Sequence, residues 1–460
     1  MTKSEDRLEI GSVAFLIAGL MFMEFLDAFI LPTAAPTIAR EFHVYSAQIG
    51  ICVTTYMVAL VVLIPVSAWL AEKYGVRRIL FGGIAIFVLG SVFCSLSVNL
   101  GELTTARIVQ GIGAATMVPV GRLILMRSVA RTEVIRVISY SVWPALVAPV
   151  VAPILGGFII AHASWHWIFL VNLPIGVIAL LVGFKIVPHI PGEKVEKLDW
   201  LGLYGSAFGL GFLVFGAAAL GAPHINSVRA GLLLALAFGI GWPTIRYMKL
   251  RPEPLVDFTP LKIQTFQLNS TSGSLYRMAH NIAPFVLPLL FQDKFGWSAE
   301  RSGEVLLFYM LGNLGFKIFT TPLMKKFEFK ILILICTLAS IPTTIIMGVM
   351  KSSLPLAWMA LLLITAGCIR SLGMTLYNTI TFADIDQEIM SHANTLSNMT
   401  QQLSSVFAVA FAVIAINVGR VVLGASSQFV IAFSLAALML IVSLLKVIEL
   451  PQGAGDSLRS

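Results

Sequence analysis

The chain has 460 residues, of which 58% are hydrophobic and only 12% charged. That balance excludes a soluble globular domain, whose surface needs charge. Apolar runs of about 20 residues exclude a β-barrel built from alternating segments of about 10. The net charge of +8 comes from basic residues scattered through short loops, which fits membrane topology better than nucleic-acid binding.

Fourteen apolar runs are long enough to span a bilayer: 12–33, 48–70, 78–98, 103–126, 136–161, 166–187, 200–221, 228–248, 269–292, 302–323, 330–349, 355–378, 395–417 and 427–449. The sequence therefore predicts an all-α polytopic membrane protein. Its first span lacks a small-residue cleavage site and is expected to be retained. Cys52, Cys94, Cys336 and Cys368 all fall within spans, so free thiols are expected, with no disulfide and no metal site.

Span 1 carries two acids, Glu24 and Asp27. A charge at membrane depth costs roughly 3 kcal/mol or more, so it marks a pathway, a relay or a substrate counter-ion. At i and i+3 the two carboxylates share a helix face, an arrangement suited to exchanging a proton. Span 2 ends in a turn rich in charge, Ala68-Trp69-Leu70-Ala71-Glu72-Lys73-Tyr74-Gly75-Val76-Arg77-Arg78. Span 4 contains Arg107-Ile-Val-Gln110-Gly111-Ile-Gly113, whose glycines allow close helix approach. Asp27 lies about six residues from the end of its span and Arg107 about four. At ~1.5 Å per residue their depths differ by about 3 Å, so a buried Asp27–Arg107 pair is expected.

Span 5 contains Ala152-Pro153-Ile-Leu-Gly156-Gly157, suited to a kink with tight packing. Span 6 opens on Trp165-His166-Trp167-Ile-Phe-Leu-Val-Asn172-Leu-Pro174-Ile-Gly176, and Asp199-Trp200-Leu-Gly202 lies at the start of span 7. His162 and His166 stand at i and i+4 but beside tryptophans, which indicates an interfacial aromatic belt rather than a metal site.

In the second half the buried charges change sign. Arg277 in span 9 and Arg370 in span 12 each lie ~12 Å from the cytoplasmic end of their spans, so they are expected to face each other across a cavity. In spans 9 to 14 the acids, Glu304 and Glu449, stand at span ends, so none is placed to neutralise them. They either meet an anionic or zwitterionic substrate group or bond backbone carbonyls and snorkel. Lys317, nearer the cytoplasmic end, is expected to snorkel, and His280 beside Asn281 is a further candidate contact. Span 13 carries Asn394, Asn398, Gln401 and Ser405 on one helical stripe, which lines the path or bonds neighbouring helices. Asp384, Asp386 and Glu388 read as a solvated loop. The chain has no Gly-x-x-x-x-Gly-Lys-Ser/Thr loop, so no nucleotide is expected.

Placing the N-terminus in the cytoplasm gives the inner loops and tails about 20 of the 31 basic residues and the outer loops about six, so both termini are expected inside. The basic turn after span 2 has a weak echo after span 10, Lys325-Lys326-Phe327-Glu328-Phe329-Lys330. Setting spans 7 and 8 aside gives two six-span halves, 1–190 and 263–460, flanking an insert at 191–262. That is a transporter architecture.

These motifs resemble those of the major facilitator superfamily, specifically its fourteen-spanner drug:proton antiporters, and the resemblance covers the whole chain. The turn after span 2 is similar to the family's Gly-x-Leu-Ala-Asp-Arg-x-Gly-Arg-Arg loop, with Ala68, Glu72 and Val76 as departures. The span 4 motif matches Arg-x-x-Gln-Gly-x-Gly. The span 5 motif resembles Gly-Pro-x-x-Gly-Gly with Ala152 in place of the first glycine. Met117-Val-Pro-Val-Gly-Arg122-Leu is similar to the multidrug transporter D type. The resemblance implies a monomeric proton-driven exporter of the bacterial inner membrane, working without a cofactor. In it, Asp27, Glu24 and Arg107 couple protons, and Glu72, Lys73, Gly75 and Arg77 form a cytoplasmic latch. Pro153, Gly156 and Gly157 shape the interface between halves. Substrate is expected to meet Glu24 if cationic and Arg277 and Arg370 if anionic, with Asn398 and Gln401 nearby. An exporter of an anionic metabolite or metal chelate, and a proton-coupled importer, are the alternatives. A membrane enzyme is not expected, since no nucleophile or metal cluster is found.

Overall fold

A computed structural model describes residues 3–128, 134–187, 191–192, 198–220, 227–251, 254–386, 389–424 and 427–450. Glu388 and the side chains of Ala68 and Arg122 lie outside the described residues. All the regular structure described is helical. This is the expected outcome for long apolar runs, because a helix satisfies its own backbone polar groups without water. The α-helices are α1 (Lys3–Glu41), α2 (Gly50–Tyr74), α3 (Val76–Leu96), α4 (Leu100–Ser128), α5 (Val134–His162), α6 (Trp167–Leu170), α7 (Asn172–Ile186), α8 (Trp200–Leu220), α9 (Ser227–Leu250), α10 (Gln264–Leu268), α11 (Ser274–Leu289), α12 (Ala299–Gly315), α13 (Lys317–Lys326), α14 (Phe329–Val349), α15 (Leu356–Ile380), α16 (Met390–Leu423) and α17 (Gln428–Ile448). Among the described residues, eleven helical stretches are long and apolar enough to cross a membrane. The expected spans 103–126, 136–161 and 269–292 are helical too, within α4, α5 and the α10–α11 region, but are not among those eleven.

Two boundaries differ from the sequence reading for a physical reason. α1 continues through Pro32 and Pro36 to Glu41, well past residue 33, since membrane helices tolerate proline where neighbours compensate. α11 is bounded by π-helical turns at Asn269–Gly273 and Leu290–Lys294, which alter its register. At the α2–α3 turn, Gly75 has φ 90°, a conformation that a side chain would strain.

The helices form two bundles. In the first, α1 packs on α5 and α7, and α4 on α2 and α3; in the second, α12 packs on α15, α14 on α17, and α11 on α16 and α17. The bundles meet along α5–α12, α2–α16 and α1–α11. Helices α8 and α9 pack on each other, and α8 touches both α2 and α16, so it rides on the seam between bundles. The buried Asp199 carboxylate anchors this pair. It accepts from the Gly202 amide at 3.0 Å, Tyr247 Oη at 3.2 Å, Arg251 Nη1 at 3.4 Å and the Leu255 amide at 3.2 Å.

The seam is tight toward the end of the bundle that carries Glu41, here the Glu41 face; the opposite end is the Gly75 face. A Cβ at Gly157 would lie 2.7 Å from the Ala299 carbonyl oxygen, and one at Gly303 would lie 2.2 Å from that of Pro153. Gln292 Nε2 donates to the Thr33 carbonyl at 2.9 Å and Ser46 Oγ to Asp293 at 3.1 Å. One apolar cluster runs through both bundles here, joining Ile30 and Leu31 to Phe285 and Leu290. Toward the Gly75 face, Ile17, Leu20, Leu80 and Ile124 belong to a cluster drawn from the first bundle alone.

Candidate functional site

Helices α1, α3, α4 and α7 converge on Asp27, which is 1% exposed. The fully buried Arg107 donates to its Oδ2 through Nη1. Gln110 Nε2 and Asn172 Nδ2 both donate to Oδ1, at 2.7 and 2.8 Å. Arg107 Nη1 also donates to Gln110 Oε1 at 2.6 Å, and Gln110 Nε2 donates to Ser91 Oγ at 2.8 Å. The guanidinium lies 4.2 Å from the centre of the Tyr56 ring, a cation–π contact that holds its plane. One charge thus meets one opposite charge at the same depth, as helical rise requires. Gly90 and Gly113 let α3 and α4 close around this cluster; a Cβ at Gly113 would lie 2.4 Å from the Phe87 nitrogen. Glu24 is buried one turn away, at 8% exposure.

The second bundle presents the opposite arrangement. Arg277 is 3% exposed, and its Nη2 donates to Asn269 Oδ1 and Asn378 Oδ1, both at 2.7 Å. Arg370 Nη2 donates to Asn281 Oδ1 at 3.1 Å, and Asn281 passes a hydrogen bond to Ser405 Oγ at 2.9 Å. Each arginine therefore reaches from its own helix to an asparagine of the other, in two crossed rungs. Arg277 Nε and Nη1 and Arg370 Nε have no partner. Among the described residues no carboxylate pairs with Arg277, Arg370 or Lys317.

Several expectations need correction. Arg277 and Arg370 do not share a depth: Arg370 is level with Asn281, four residues and so about 6 Å along α11 from Arg277. The helix runs back from α11 through the π-helical turn to Gln264, so residue 269 is not its end and counting from there failed. Lys317 Nζ donates to Thr375 Oγ1 at 3.2 Å. His280 sits in the core of the second bundle, 3.0 Å from Ser340 Oγ. Glu72 is exposed and forms no hydrogen bond or ion pair with the second bundle among the described residues. Arg77 instead donates to the Phe184 carbonyl of its own bundle at 2.5 Å, and Lys73 lies over Trp69. Among the described residues the polar stripe of α16 is linked to Arg370 through Ser405 and Asn281; Gln401 donates to Ser397 at 3.2 Å, and Asn398 to Asn394 at 3.5 Å. Pro153, Gly156 and Gly157 lie on the seam, where Gly156 abuts Ile30 and Gly157 abuts Ala299.

The histidines near the Glu41 face join the aromatic belt, with His166 stacked on Trp165 at 3.9 Å. Among the described residues no group of three or more metal-ligating side chains occurs. Cys52, Cys94 and Cys336 are buried and free, and Cys368 is half-buried and free. Sequence reasoning did not assign Ser91, Gln110 and Asn172 to the site. Gln110 and Asn172 stood inside quoted motifs, and each is an uncharged polar residue facing a helix neighbour, the one signal available.

Residues 17–409 match the sequence profile of the Major Facilitator Superfamily. A Haemophilus influenzae protein named "Probable transport protein HsrA" is 31% identical, with 97% of each chain covered. A Pectobacterium carotovorum protein named "Putative multidrug resistance protein MdtD" is 30% identical over 90% of this chain and 87% of its own. Among solved structures, a D-xylose-proton symporter superposes with a TM-score of 0.67 at 16% identity, covering 97% of this chain and 99% of its own. A POT family transporter in complex with 5-aminolevulinic acid gives 0.69 at 15% identity, covering 95% of each. At such identities the two structures speak to fold alone.

Proposed function

The chain belongs to the major facilitator superfamily, and from that premise we propose that it exports small molecules by exchanging them for protons. It is a multi-pass transporter of the bacterial inner membrane and not an enzyme. In this reading it has fourteen spans, two six-helix halves around the α8–α9 insert, and both termini in the cytoplasm, and it works as a monomer without a cofactor. The Glu41 face is then periplasmic, and the tight seam there is a closed periplasmic gate.

One observation carries the proton assignment: a buried carboxylate, Asp27, whose charge is met by a single buried arginine and two amide donors. Protonating Asp27 removes the charge that neutralises Arg107 and withdraws an acceptor from Gln110 or Asn172. Proton binding therefore changes the contacts among four helices, which is what coupling to an alternating-access motion requires. Glu24, one turn deeper along α1, lies where a cationic substrate group would meet it. The turn carrying Glu72, Lys73, Gly75 and Arg77 acts as the latch when the Gly75 face closes. Gly156 and Gly157, with Pro153, form the pivot at the other face.

A specific observation also favours an anionic substrate group. Arg277 and Arg370 are held only by amides and keep unpartnered nitrogens, so a carboxylate arriving between the bundles would complete them. Asn398 and Gln401 line the approach along α16. Liposomes with an imposed pH gradient test both readings. Wild type should move substrate down the gradient-driven route, and Asp27→Asn should lose that dependence. Gradient-driven flux retained by Asp27→Asn would sink the proton assignment. The direction of flux separates exporter from importer.

A further inference from the structure

Beside α8 lies a crevice that neither translocation nor proton coupling uses. Toward the Glu41 face it is a cavity of about 290 Å³ bounded by Gln48 just before α2, Thr54 of α2, Ala218 of α8, Arg229 of α9 and Val413 of α16. Deeper, a second cavity of about 300 Å³ is walled by Val58 and Val62 of α2, Ile108 and Ile112 of α4, and Ala207 and Gly211 of α8. Val214 and Phe215 line both cavities, so the two adjoin. From Tyr204 to Ala219 the α8 wall is ~22 Å long at helical rise. One bilayer leaflet offers hydrocarbon only about 15 Å deep, half of a ~30 Å core.

The chemistry changes along this length. The deep part offers almost no unmet polarity, for the Thr55 hydroxyl already donates to the Ile51 carbonyl at 2.8 Å. A Cβ at Gly211 would meet nothing within 4 Å, so this wall leaves open space where it lacks a side chain. An occupant of this part must be long and apolar, because a polar group would lose its hydrogen bonds there. The mouth is the reverse. Arg229 lies beside the N-terminus of α9, a 24-residue helix, and both favour a negative group.

We propose that the crevice holds an anionic phospholipid, one acyl chain along α8 and the phosphate at Arg229. Because α8 touches α2 of one bundle and α16 of the other, the chain fills the flank that α8 leaves open against α4. The insert thereby becomes a lipid-dependent brace across the moving seam. The site depends on embedding in the membrane, not on which substrate is carried.

Photolabelling tests this directly. The full-length protein is placed in liposomes doped with phosphatidylglycerol that carries a diazirine near the end of one acyl chain, and irradiated. Adducts are then mapped by peptide mass spectrometry. Adducts should concentrate on Val58–Leu63 and Tyr204–Phe215, well above Phe238, which is 69% exposed on α9 and reports bulk lipid. A phosphatidylcholine probe should label the crevice less. Gly211→Leu should abolish crevice adducts and leave those at Phe238. Arg229→Gln should cut the preference for phosphatidylglycerol roughly tenfold, the loss of about one charge-assisted hydrogen bond. Wild-type adducts no denser in the crevice than at Phe238 overturn the proposal without reference to any variant. So does full crevice labelling in Gly211→Leu.

Discussion

Each bundle buries arginine, but in opposite ways. In the first, Arg107 meets a carboxylate in a cluster drawn from four helices, its Nη2 alone lacking a hydrogen bond. In the second, Arg277 and Arg370 reach amide oxygens and keep nitrogens with no partner. A buried ion pair becomes costly when one partner is removed, because a charge is then stranded. A buried cation held by neutral amides is already short of compensation, and removing it relieves desolvation even as hydrogen bonds are lost. The first arrangement suits a switch that stays assembled until a proton arrives. The second suits a site that waits for its counter-charge.

Stability separates the two most sharply. Arg107→Ala should cost about 3–5 kcal/mol by stranding Asp27, visible as a large fall in the thermal unfolding midpoint in detergent. Next comes Asn172→Ala, which removes one neutral donor from the carboxylate and should cost roughly 1.5–3 kcal/mol. It should also displace the pH at which gradient-driven flux is half-maximal. A loss of midpoint with an unmoved pH profile would make Asn172 merely structural. Smallest is Arg277→Ala, expected to change stability by about 1 kcal/mol or less, since lost bonds and relieved desolvation offset. Its effect should appear instead as weakened competition by anionic substrates. If Arg277→Ala destabilised the protein as much as Arg107→Ala, the contrast between bundles would not hold.

The sequence carried the Asp27–Arg107 contact because charges at membrane depth are rare and helical rise acts as a ruler between them. It could not carry Ser91 or Asn172, since uncharged polar residues are common in such helices and nothing in one sequence says which neighbour they face. The ruler itself misled at Arg277. The helix continues past Asn269 to Gln264, through polar residues that an apolar run does not include. The turn holding Glu72 was legible as a feature of the chain, but what it touches depends on which face is open. Asp199 stood out only as a landmark before span 7. Its four donors come from the start of α8, the end of α9 and the segment beyond, a convergence that requires the tertiary structure.

The contacts at Gly157 and Gly303 have a mechanical consequence. Where α5 meets α12, backbone lies on backbone, so the surface works as a bearing with no side chain to reorganise as it turns. A single added methyl acts there as a shim. Gly157→Ala would set a Cβ 2.7 Å from the Ala299 carbonyl oxygen and 2.8 Å from Glu300 Cα, penalising this state; in the proposed alternating-access cycle the opposite state, with that surface parted, would be untouched. Each ~1.4 kcal/mol of such bias shifts the ratio of the two states tenfold. One carbon atom would thus suffice to hold the protein in the conformation complementary to the one described.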